Sequence, residues 1–112
     1  MRRFIANHIV SGQRVHLHSV VSIDDDGKLL GIDAFREETE GTIYVEGIII
    51  IGNIRLPEKL HQIESVLDEN LDITLEHLKK FMTENDLCPK AGERVTVVSA
   101  DRFKKRAEVI AS

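Results

Sequence analysis

One cysteine, no tryptophan and a single tyrosine leave this 112-residue chain short of the side chains on which several kinds of site are built. Cys88 alone forms neither an intramolecular disulfide nor a multi-thiolate zinc site, and no second thiol completes a redox pair, so a buried spectator role is expected. No apolar run approaches the roughly 18 residues of a bilayer-spanning helix, and the start lacks the charged, apolar and small-residue succession of a secretion signal. A cytoplasmic protein with no membrane partner is expected. Acidic residues outnumber basic ones, 19 to 15, for a formal charge of −4. Without a concentrated basic surface no nucleic-acid partner is expected. The local exception, Arg102, Lys104, Lys105 and Arg106, reads as a solvated strand or turn face. Ser19, Ser22 and Ser99 sit in no G-x-S-x-G elbow, and the glycines form no phosphate-cradling loop.

What is present is an ordinary globular mixture, 42% apolar and 30% charged, in a chain with room for one core. The expected organisation is a single domain, 1–112, with N-terminal strands over 1–52, a helical insert over 56–86 and C-terminal strands over 93–110. Arg3 to Val10 reads as a strand broken by Ser11-Gly12. Over Arg14 to Ile23, alternation places Val15, Leu17, Val21 and Ile23 on one face and His16, His18, Val20 and Ser22 on the other. Lys28 to Phe35 returns as a third strand. After the charged stretch Arg36 to Gly41, Thr42 to Ile51 forms a fourth, whose Ile48 to Ile51 end is apolar on both faces and therefore needs cover on both.

Helical spacing follows. Leu56, Leu60, Ile63, Val66 and Leu67 recur at three- and four-residue steps, with Pro57 suited to a first turn. A second helix is predicted to begin at Thr74 as N-cap, with Leu75, Leu78, Phe81 and Met82 on one stripe. Val95 and Val97 then mark a strand, and Arg102 to Ile110 another, with Phe103 counted among its apolar residues. The expected fold from this order is α+β, about five or six strands with two amphipathic helices inserted before the C-terminal strands.

Three constellations bear on chemistry. His16-Leu17-His18 places two imidazoles on one side of an extended strand, which makes His16 and His18 candidate metal ligands; a catalytic metal needs at least one more. Asp24-Asp25-Asp26-Gly27 has the alternate acids of a calcium loop, but position 35 is Phe35 and both flanks read as strand, so a hairpin turn is expected. Glu37, Glu38 and Glu40 lie in an unpatterned charged loop that offers no means of perturbing their pKa values. No catalytic residue and no cofactor is assigned from these patterns.

The segments Arg3-Phe4-Ile5-Ala6-Asn7-His8-Ile9-Val10, Val21-Ser22-Ile23-Asp24-Asp25-Asp26-Gly27-Lys28-Leu29-Leu30-Gly31-Ile32 and Tyr44-Val45-Glu46-Gly47-Ile48-Ile49-Ile50-Ile51-Gly52 resemble the N-terminal part of amidohydrolase-superfamily enzymes, the metal-dependent hydrolases related to imidazolonepropionase. Ala91-Gly92-Glu93-Arg94-Val95-Thr96-Val97-Val98 resembles the re-entry of their C-terminal strands. In that family these ends build a composite β-sandwich beside a catalytic (β/α)₈ barrel, so the resemblance implies a small β-sandwich-like domain here. Here Gly52 is followed by Asn53-Ile54-Arg55-Leu56-Pro57 instead of a Pro-Gly turn and an H-x-H strand, and no barrel of about 250 residues fits.

The resemblance thus implies a non-catalytic, stand-alone relative of the composite domain acting as a binding, regulatory or assembly module. A homodimer or protein partner covering Ile48–Ile51 is expected. The alternative is a metal-dependent, hydrolase-related protein with a site around His16 and His18 or completed by a partner.

Overall fold

A computed structural model describes residues 1–36 and 41–112, so Glu37, Glu38 and Glu40 lie outside the described residues. The elements are β1 (Arg2–Ser11), β2 (Arg14–Ile23), β3 (Leu29–Ala34), β4 (Thr42–Tyr44), β5 (Ile48–Gly52), a 3₁₀ turn (Leu56–Lys59), α1 (Leu60–Val66), α2 (Leu71–Glu84), β6 (Thr96–Asp101) and β7 (Arg106–Ala111). The α+β arrangement is the one expected, with both helices ahead of the C-terminal strands. The strands number seven, in one mixed sheet of order β3-β2-β1-β5-β6-β7 with β4 also against β1.

The additional strand comes from Gly47. The expected strand Thr42 to Ile51 breaks there, into β4 beside Arg3–Ile5 of β1 and β5 beside His8–Ser11 of the same strand, both parallel to it. Gly47 takes φ +94°, and a Cβ on it would sit 2.5 Å from the Ala100 carbonyl oxygen. Only glycine tolerates that backbone so close to a neighbour.

Sandwich character arises because the sheet folds over itself. One buried cluster draws Phe4, Ile9, Val21 and Ile23 from the N-terminal strands and Ile49, Ile51, Val97 and Ala111 from the central and C-terminal ones, with no helical residue among them. Backbone bonds close one side: Leu29 N–H donates to Glu93 O, and Val95 N–H to Gly27 O. The outer face carries a second cluster, in which Val10, Ile48, Ile50, Val98 and Ala100 pack against Leu56, Ile63, Leu78 and Met82.

β5 therefore lies between two cores, and Ile48 to Ile51 are each no more than 1% exposed. Full burial of such a side chain is worth about 1.5–3 kcal/mol. The cover this strand was expected to need from a partner comes from the chain itself, the helices over Ile48 and Ile50 and the folded sheet over Ile49 and Ile51.

Three local readings need correction. The long helix expected from Leu56 starts as a 3₁₀ turn before α1. The N-cap of α2 is Asn70, whose Oδ1 accepts the Ile73 N–H at 3.1 Å, and not Thr74. Thr74 is buried one turn in, where its hydroxyl donates to Asp68 O and accepts the Asp68 N–H. Strict alternation along β2 also fails, because His18 adopts φ +46°. Val21 and Ile23 consequently join the inner core while Val15 packs on the helical side and Leu17 is 66% exposed.

Candidate functional site

The backbone at His18 is left-handed, which departs from the extended geometry that the H-x-H reading starts from. The His18 ring sits edge-on to Phe35, centroids 4.9 Å apart, with Nδ1 3.4 Å from Asn7 Oδ1. His16 lies opposite Ile9 in the β1–β2 ladder. Among the described residues, no three His, Cys, Asp or Glu side chains converge as a metal site requires. Neither His61 nor His77 is brought to β2; both are exposed on the helices.

The Asp24–Gly27 loop is a hairpin turn whose acids serve the fold. Asp24 Oδ1 accepts the N–H groups of Asp26 at 2.9 Å and Lys28 at 2.8 Å, and Gly27 supplies φ +82°. Asp25 accepts from the Met1 ammonium at 2.6 Å, and that bond and charge hold its carboxyl below the usual range. Cys88 is half-buried, its Sγ 3.8 Å from Met82 O.

Two groups that sequence reasoning passed over acquire defined settings. His8, paired with Ile48 and Leu17 across its ladders, is partly buried. Burial and then the Arg102 guanidinium push its pKa below the ordinary 6.5, with Asp72 at the start of α2 opposing them. Glu64 on α1 reaches the outer edge of the sheet, where Oε2 accepts the Ala107 N–H at 2.9 Å while Oε1 lies 3.5 Å from His61. The contacts with Arg102, Asp72 and Ala107 have no sequence signature, because these partners lie far off along the chain, whereas His61 and Glu64 stand at helical spacing.

The basic run falls on the turn side of its reading as a solvated strand or turn face, while the strand expected over Arg102 to Ile110 starts later. β7 begins at Arg106, so Arg102 to Lys105 form the β6–β7 turn, and Phe103, expected inside a strand, is 70% exposed at that turn. The Arg102 guanidinium lies 4.9 Å from the Phe103 ring centroid. Surface hollows flank the turn, one of about 230 Å³ beside Glu46 and Phe103 and one of about 540 Å³ beside Lys104, Lys105 and Arg106.

No helix among the described residues is long and apolar enough to cross a membrane. No known protein family matches this chain, and neither a curated protein nor a solved structure shows detectable similarity to it.

Proposed function

We propose that the chain is a non-catalytic, stand-alone relative of the amidohydrolase composite domain and works as a binding, regulatory or assembly module. The observation that carries this reading is the position of β5, which pairs with β1 from one end of the chain and β6 from the other, so that the two ends make one sheet. The segment resemblance supports the same reading, since it matches the two ends of such an enzyme and omits the middle. In a barrel-bearing enzyme the small domain packs on its barrel. Here α1 and α2 cover the outer face of β1, β5 and β6.

Because β5 is already covered, the partner contact, with a second copy or another protein, falls elsewhere. Ile43 and Tyr44, more than half exposed on the short strand β4, supply the apolar surface for it.

Metal analysis and sedimentation of the purified chain test the proposal together. Expected are protein without stoichiometric metal and a concentration-dependent mass above 12.7 kDa that an Ile43→Asp/Tyr44→Asp variant returns to the monomer value. Stoichiometric zinc, iron or manganese that disappears in a His16→Ala/His18→Ala variant overturns it in favour of the metal-dependent alternative.

A further inference from the structure

Four of the 15 basic residues, Arg102, Lys104, Lys105 and Arg106, surround Phe103 within five positions, and the β6–β7 turn is braced so as to present them. Asp101 Oδ1 accepts the N–H groups of Phe103 at 2.9 Å and Lys104 at 3.1 Å. Lys105 takes φ +52°, which completes the reversal into β7. Arg102 donates to the Glu69 carbonyl in the α1–α2 loop, and from that anchored position its guanidinium covers one side of the Phe103 ring. The remaining surface of the ring is in water.

Carboxylates are near, Glu46, Glu64, Asp101 and Glu108 lining the hollow that holds Lys104, Lys105 and Arg106, but among the described residues none forms an ion pair with the cluster. Asp101 is engaged in the turn and Glu64 with the Ala107 amide. Among the described residues, no carboxylate oxygen comes within 4.0 Å of the charged end of any of the four cations. The turn thus presents an apolar apex with a cationic collar, on a molecule whose formal charge is −4.

We propose that this hairpin docks the protein on anionic membrane surfaces, Phe103 entering the headgroup layer while Lys104, Lys105 and Arg106 meet lipid phosphates. A single apex standing between two hollows fits a plane. Single-stranded nucleic acid instead favours a groove with successive stacking platforms, and one ring already covered by Arg102 offers a single stack. Few cations and one ring give weak, reversible attachment that depends on anionic lipid. The lack of a bilayer-spanning apolar run, on which the expectation of no membrane partner rests, bears on crossing a bilayer and not on a surface contact of the kind that Phe103, exposed at the turn, offers. The role does not depend on descent from a composite domain.

Vesicle flotation tests the assignment, using the full chain with phosphatidylcholine vesicles containing phosphatidylglycerol, pure phosphatidylcholine vesicles, and a labelled single-stranded DNA as competitor. Binding is expected only to the anionic vesicles, and added salt should weaken it. Lys104→Gln or Lys105→Gln should each lower affinity about fivefold, and Phe103→Ala about tenfold. These side chains are exposed, and circular dichroism of each variant verifies the fold. Failure to bind anionic vesicles, equal binding to neutral ones, wild-type affinity in Phe103→Ala, or tighter binding to the DNA each overturns the proposal. None of these results bears on metal content or sedimentation mass, which test the composite-domain reading separately.

Discussion

His8 shows how a single side chain on a strand couples charge to folding. Partial burial and the Arg102 guanidinium lower its folded-state pKa, so the unfolded chain holds the proton more tightly. The contribution is complete above the unfolded value near 6.5 and declines as pH falls toward the lower folded one. Urea midpoints of the wild type should therefore drop between about pH 7.5 and about pH 5.5 by more than those of His8→Asn. An identical pH slope in the two proteins would remove His8 from the account. Residue chemistry was legible in the sequence where it is local, as in the Asp24–Gly27 turn. It was hidden at His8, whose neighbours Asp72 and Arg102 are distant in sequence, and at His18, where one left-handed residue departs from the extended geometry behind the paired-imidazole reading.

At the scale of elements, sequence periodicity identified strands and helices well and their ends poorly. Asn70 and Thr74 are both favoured capping types, and the somewhat higher rank of Asn agrees with the cap observed. Contact with Asp68 encloses the Thr74 hydroxyl. Gly47 marks the other boundary that periodicity missed, since the apolar pattern runs straight through Thr42 to Ile51. Gly47→Ala should destabilise the protein by about 2–4 kcal/mol, combining the left-handed backbone with a clash against Ala100. Denaturant unfolding measures this directly, and a loss below about 0.5 kcal/mol, the usual scale of a benign surface change, would mean that the β4–β5 junction relaxes freely.

For the whole molecule, the α+β order of elements was readable because each segment carries its own period. The sandwich character was expected from the resemblance, whereas which strands meet across the inner core was not legible, since those residues are distant in sequence. Ile49 and Ile51 serve that core, and Ile48 and Ile50 the helical one. If the two cores form one cooperative unit, Ile49→Ala and Ile50→Ala each cost about 2–4 kcal/mol and shift a single transition. Separate transitions for helical and sheet signals would instead divide the molecule in two.

The central place of β5 also has a consequence during synthesis. Four consecutive isoleucines between two glycines make a strand-forming, uncharged segment of the kind that seeds intermolecular β-structure when exposed. Its partners in β6 lie more than forty residues downstream, so a nascent chain carries this segment uncovered on one edge until Thr96–Asp101 emerges. Slow elongation through the helical stretch prolongs that interval, and chaperone dependence should be set there.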